Sequence, residues 1–373
     1  MNFSSSHMFA ILLLLAMGFV LCAGCSAPES GTLVPGSTSR TEVIPAPEGT
    51  TVAVHATNVS QSSTCSPITI TQTDGSQVTL SCKPQRIVLA GANQAEMIIA
   101  LGAQNQVVGV VHSITNVSYV MDKLPQAEDV GDWQIPNVER ILALHPDVVI
   151  AYASSKPKNL DQFTSANITV IYLDCFRLST LASDARAMGK LTGKSNEAEV
   201  YARMVEDTVA DVTGRVKKIS PENYPSVYSE SYSDYTVAGP SSGAGEMLTL
   251  AGGTNIADNV TLSSAKINSE WVIARQPDFV FKVLPSSNTL TLPETLKLLK
   301  DRQGWYNIPA VKNDRVYLIS NDVQMSPRAY IGLVYTAQTL HPDEFQDMHP
   351  RAMLDEYASR YVSGTNKTGM VYP

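Results

Sequence analysis

The sequence predicts an α/β protein, two doubly wound lobes joined by a single long rigid helix, on three observations. The first is the stretch Ser195 to Ile219. Val200, Tyr201, Met204, Val205, Val209, Val212, Val216 and Ile219 fall on one side of it, and Arg203, Glu206, Asp207, Asp211 and Arg215 largely on the other. The second is an internal repeat. Glu96 and Met97 open a segment closed by Gly102, Glu246 and Met247 open one closed by Gly252, and both Glu-to-Gly gaps are six. Glu139 to Pro146 and Glu270 to Pro277 are each spaced by seven, with a helix ending at Pro-Asp and a buried strand following. The third is the alternation of short apolar runs with helical periods on both sides of the long helix.

Each end of that helix carries a signal. Ser195 or Asn196 is placed to cap it, Glu197 and Glu199 complement the positive end of its dipole, Lys217 and Lys218 the negative end, and Pro221 stops it. Gly214 weakens it by about 1 kcal/mol against Ala. At 1.5 Å per residue the helix spans on the order of 35 Å, the width of a small domain. It is long enough to be a strut between two bodies.

Taken in order, residues 1–24 read as an export signal. The apolar run Met8 to Leu21 is too short to span a bilayer and ends in small residues before a cysteine. Leu21-Cys22-Ala23-Gly24-Cys25 resembles a lipobox, with Cys25 as the lipidated residue; the alternative is an ordinary signal peptide with an incidental Cys. Residues 25–64 are rich in Ser, Thr, Pro and Gly and read as a flexible tether. The expected location is the extracytoplasmic face of the cell membrane, with the chain lipid-anchored. An N-terminal lobe with a leading β-hairpin is expected over 65–194, the interlobe helix over 195–220 and a C-terminal lobe over 221–373.

The segment between Cys65 and Cys82 alternates like a hairpin turning at Asp74-Gly75, which brings the two cysteines close to facing each other; outside the cell they would oxidise. Cys175 is left as a buried thiol. Asn58, Asn116, Asn167, Asn259 and Asn366 begin Asn-X-Ser/Thr triplets, compatible with a glycosylated surface.

A net charge of −8 and the absence of basic runs argue against nucleic acid. No phosphate loop or dinucleotide fingerprint is present: GAGEM around Glu246 lacks the Lys and the spacing of the former. His112 alone among the histidines sits in a plausible cleft loop, while His145, His341 and His349 stand at helix ends, so no metal site made by protein ligands alone and no resident cofactor is assigned.

Several stretches together carry a resemblance: KPQRIVLAGANQAEMIIALGAQNQVVGV, VGDWQIPNVERILALHPDVVIAY, the long helix, GAGEMLTLAGGTNIAD, EWVIARQPDFVFKV and GWYNIPAVKNDRVYLIS. In that order the chain, from Ile68 to Tyr361, resembles the substrate-binding lipoproteins of ABC importers for iron complexes and vitamin B12. The resemblance implies a ligand between the lobes, a helix that limits closure, and docking on a permease with its ATPase subunits. Glu96 and Glu246, equivalent in the repeat, match acids that pair with permease Arg residues; the alternative is that each only complements its helix dipole.

Candidates for holding ligand follow from the rule that open α/β sheets bind at the loops after their strands. Trp133 lies in VGDWQIP, Tyr152 ends DVVIAY, Arg177 follows TVIYLDC, Tyr232 and Tyr235 follow PSVYSE, and Arg328 follows VYLISNDVQMSP. Aromatic faces around a planar or chelate ligand, with Arg forks on its acidic groups, are one reading; a ring capping a hydrophobic edge is the other. Trp305 reads as structural. The ligand classes left open are ferric siderophore, corrinoid, haem and molybdate or tungstate. A ligand-sensing domain, or an enzyme using the interlobe cleft, is the competing class, but no G-x-S-x-G elbow or paired cleft carboxylates support catalysis.

Overall fold

The computed structural model describes residues 65–284, 290–362 and 371–373; the leader, Cys25, the tether, Asn58 and Asn366 lie outside the described residues. The alternating runs ITIT and QVTL form antiparallel strands β1 (Ile68–Thr71) and β2 (Gln77–Leu80), with Thr69 opposite Thr79. Asp74 Oδ1 accepts from Ser76 N at 3.0 Å to shape the turn. Cys65 and Cys82 are joined in a disulfide at the open end, with Cα atoms 5.3 Å apart. The hairpin tip is pinned to the first lobe: Thr73 N donates to Tyr172 O at 3.1 Å, and Thr73 Oγ1 accepts from Asp174 N at 2.8 Å.

That lobe holds strands β3 (Ile87–Leu89), β4 (Val107–Val110), β5 (Glu128–Asp129), β6 (Val148–Ala151) and β7 (Val170–Tyr172), in the order β5-β4-β3-β6-β7 and parallel throughout. IVL and VVIA are buried at every position, as strands are when helices cover both faces of a parallel sheet. Its main helices are α1 (Ala92–Ala100), α2 (Val138–Ala143) and α3 (Leu181–Thr192). The interlobe helix α4 (Ser195–Val216) comes next.

The second lobe holds β8 (Ser226–Glu230), β9 (Thr236–Ala238), α5 (Gly243–Leu250), β10 (Thr254–Asn255), β11 (Ser264–Lys266), α6 (Ser269–Arg275), β12 (Phe279–Leu284), β13 (Val316–Ser320), α7 (Ala329–Leu340) and β14 (Val371–Tyr372). Its order is β11-β9-β8-β12-β13-β14, with β10 also on β8. Strands β8, β10, β12 and β13 run parallel, while β9, β11 and β14 are antiparallel additions. The chain turns back after β8 through Ser231–Tyr235, which places β9 where the first lobe goes straight into a helix. Two- and three-residue strands such as β10 and β11 are too short to show alternation in the sequence.

The repeat is reproduced down to its hydrogen bonds. Asn137 caps α2 by accepting from Arg140 N at 3.0 Å, and Asn268 caps α6 by accepting from Trp271 N at 2.9 Å. His145 (φ 46°) and Gln276 (φ 45°) turn the chain left-handed before Pro146 and Pro277. Asp147 then accepts from Arg86 N and Asp278 from Ser226 N, both at 2.9 Å, and each ties its strand to the head of the lobe's first strand. Gly102 (φ 71°) and Gly252 (φ 77°) close α1 and α5 in the left-handed conformation that glycine adopts without a Cβ penalty.

Helix α4 differs from its sequence reading at both ends. Lys194 occupies the N-cap position with no side-chain cap, because Ser195 is already the first helical residue; the helical turn ends at Val216 and Ile219 lies just beyond it. Val200, counted on the apolar side, is 51% exposed. The buried stripe is Ala198, Tyr201, Ala202, Val205, Val212 and Val216. Through these residues one continuous hydrophobic core runs from β3 and α1 across α4 to Met247, Leu248 and Leu333 of the second lobe. A separate cluster around Tyr228, Val280 and Trp305 fills the far side of the second sheet.

Candidate functional site

Two adjoining cavities, of about 300 and 240 Å³, lie between the lobes and share Ser154, Phe176, Tyr232 and Met325. The larger takes Gly91, Trp133 and Tyr152 from the first lobe and Asn321 from the second. The smaller takes Arg177 from the first lobe, and Ser242 and Gln324 from the second. Much of the lining comes from the loops after β3, β5, β6, β7, β8 and β13, the carboxyl ends of strands, where open α/β sheets place their ligands.

One wall is aromatic. Trp133 meets Tyr152 edge to face with ring centroids 6.2 Å apart, and Tyr152 meets Phe176 at 6.4 Å. Tyr152 stands where it does because Gly91 carries no side chain: a Cβ there would lie 2.5 Å from the Tyr152 ring. Tyr232, 45% exposed, faces from the second lobe and donates its hydroxyl to Asn321 Oδ1. Burial raises the Tyr152 phenol above its ordinary range, and both phenols are uncharged at neutral pH.

Arg177 sits at the edge of the cleft. Its Nη1 donates to Ser241 O of the second lobe at 3.0 Å, and its Nε lies 3.4 Å from Asp174 Oδ2. Asp174, 1% exposed, is held in turn by Ser154, whose N and Oγ both donate to Oδ1 at 2.9 Å. Arg177 is thus a tethered cation.

Two expected ligand residues are elsewhere. Arg328 is 4% exposed and donates through Nη2 to Glu96 Oε2 at 2.8 Å; it starts α7, and the helix turns its side chain into the seam between the lobes. Tyr235 is absent from both cleft cavities. Its ring is occupied by Arg302, 4.5 Å from the centroid, and by Trp305, 6.2 Å away. Trp305 is fully buried, with Nε1 donating to Ser269 Oγ at 3.0 Å.

The two acids expected to dock also turn inward. Glu96 is 4% exposed and accepts from Tyr357 Oη at 2.9 Å as well as from Arg328, so no partner reaches it while the lobes stay together. Glu246 Oε1 accepts from Ser179 N at 2.8 Å and its Oε2 is buried. The equivalence read from the repeat survives with a different content. Each acid crosses to the opposite lobe, Glu96 to the start of α7 and Glu246 to the approach of α3.

Phe176 and Met325 went unnoticed in the sequence although each lies in a loop singled out there, beside Arg177 and just before Arg328. The strand-end rule marks the loop; which of its side chains faces the cleft depends on the turn. No group of three or more His, Cys, Asp or Glu side chains that could hold a metal ion occurs among the described residues. No helix among them is long and apolar enough to cross a membrane.

A two-lobed α/β frame with a long connecting helix and an aromatic interlobe cleft is the architecture of a solute-binding protein, and the family match assigns the chain to that class. Residues 87–323 match the profile of the periplasmic binding protein family, and the chain belongs to that family. It is 29% identical over 290 residues to the ABC transporter substrate-binding lipoprotein YvrC of Bacillus subtilis, covering 75% of this chain and 88% of that one. It is 28% identical over 220 residues to a cobalamin-binding protein of Halobacterium salinarum, covering 57% of this chain and spanning 58% of the relative's length. Among solved structures, a TroA-like periplasmic binding protein of Veillonella parvula superposes with a TM-score of 0.69 at 24% identity, over 82% of this chain and 99% of that one, a likeness of fold.

Proposed function

We propose that this chain is the extracytoplasmic solute-binding subunit of an ABC importer, anchored by a lipid on Cys25. It captures a metal chelate of the ferric siderophore, corrinoid or haem type and delivers it to a permease and its ATPase subunits. The observation that carries this reading is the interlobe cleft itself, walled by Trp133, Tyr152 and Phe176 and faced by Tyr232 from the other lobe. Rings set edge to face in this way offer a broad, partly apolar surface, and the metal arrives inside its own ligand shell. The relatives named as a substrate-binding lipoprotein and a cobalamin-binding protein support the same class.

Titration of the mature protein with a corrinoid, haem and ferric siderophores, followed by tryptophan fluorescence and melting temperature, tests it. A ligand present at a hundred times its dissociation constant stabilises the native state by about 2.7 kcal/mol. Silence across the panel would refute the ligand class.

A further inference from the structure

Charge is nearly absent from the cleft. Among the described residues, the larger cavity has no charged side chain in its lining, and the smaller has one, Arg177. That single guanidinium lies 3.4 Å from Asp174, whose own burial leaves the pair with no net charge to offer. A third cavity of about 300 Å³ opens beside Asn93 and Asn321, and its ionisable acids are Asp322 and the Arg328-bound Glu96. Another cavity, which shares Tyr232, carries Lys282 and Arg302, and both are paired with Glu230 and Asp234. An anion entering it would lose hydration without gaining a free cation.

What the lining does offer is hydrogen bonding. Asn93, Ser113 and Asn321 line the larger cavity, and Ser242 and Gln324 the smaller. Gln324 is 4% exposed and its Oε1 is buried without a hydrogen-bond partner, so a small turn of the amide presents an acceptor to an N–H or O–H donor.

Resting on the proposed importer role, we infer that the site selects an uncharged or nearly uncharged chelate rich in amide or hydroxyl groups and disfavours polyanionic chelates and oxyanions. Asp174 is the positioning residue that sets this choice. It holds Arg177 against the wall and cancels its charge, without reaching the ligand.

The test measures affinities of the mature protein for four probes at low and high salt: cyanocobalamin, a neutral ferric trihydroxamate, a trianionic ferric tricatecholate and molybdate. A neutral probe should bind at least about tenfold more tightly than either anion, with an affinity that changes less than about twofold as salt screens exposed charge. Asp174→Asn, which leaves Arg177 uncompensated, should shift the anion-to-neutral affinity ratio about tenfold toward the anions, and that gain should fade with salt. A structural role for Asp174 would weaken all probes alike. If the variant does not fold, the ranking and salt response of the parent protein decide. A tricatecholate or molybdate bound more tightly than both neutral probes overturns the inference and leaves the importer role standing. No binding by any of the four overturns this inference, and the importer role falls with it only if haem is silent as well.

Discussion

Arg328 and Glu96 form a buried ion pair at 2.8 Å between residues 232 positions apart, one heading the last long helix of the second lobe and the other in the first helix of the first. Tyr357 and Tyr119 also donate to the carboxylate, at 2.9 and 3.2 Å. The pair closes the seam on one side, as Glu246 with Ser179 closes it on the other.

Removing one member leaves the other charged in a dry seam. Glu96→Ala should cost about 3 to 5 kcal/mol, whereas Glu96→Gln combined with Arg328→Met should cost much less, since no uncompensated charge remains. Urea denaturation of the three proteins checks this. Equal losses in both variants would show that packing, and not the charge pair, dominates there.

Asp184 makes stability depend on pH. Burial pushes its carboxyl up to about 6, against the opposing hydrogen bonds from Cys175 N at 2.9 Å and Thr73 Oγ1 at 2.8 Å. Because the folded pKa lies above the unfolded one, the native state holds more protons between roughly pH 4 and 6. This contribution is full below about pH 4 and is lost as pH rises through 6, an amount of up to ~3 kcal/mol. Asp184→Asn should abolish that part of the slope, read as the difference between parent and variant urea midpoints from pH 4.5 to 7.

The disulfide between Cys65 and Cys82 spans 17 residues, and a loop of that size is worth about 3 kcal/mol by chain entropy. Reduction, or Cys65→Ser with Cys82→Ser, should lower the melting temperature. Ligand affinity should fall as well, because the hairpin tip holds Asp174 through Thr73. Non-reducing mass mapping should recover the joined peptide; two free thiols would disprove the staple.

Trp133→Ala should weaken binding of the ligand found in the panel by more than ~1 kcal/mol, the range of an anchoring aromatic, and Phe176→Ala by a comparable amount. Affinity unchanged in both would return the wall to a purely structural role.

Cys25→Ala should move the protein from the membrane fraction to the soluble one. Retention in the membrane would rule out lipidation at this residue.

The fold was legible because its signals are local and repeated: the Glu96-to-Gly102 and Glu246-to-Gly252 spacings, and the Glu139-to-Pro146 and Glu270-to-Pro277 spacings, mark the same elements twice, and the structure adds the caps at Asn137 and Asn268. The loops of the candidate site were legible. Trp133, Tyr152, Arg177 and Tyr232 do line the cleft. Arg328 and Tyr235 do not, because their partners Glu96, Arg302 and Trp305 are set by tertiary packing. The inward turn of Glu96 is of the same kind: periodicity places it in the first helix of its lobe, and only the assembled seam supplies Arg328 and Tyr357.

The continuous core through α4 has a consequence for how occupancy is communicated. Lobes that share buried Tyr201, Val205 and Val212 cannot swing apart as separate bodies without exposing that core to water, so hinge angle is a poor carrier of information here. The message that cargo is aboard must be written on the mouth of the cleft, in the outline of the ligand itself and the few side chains it displaces.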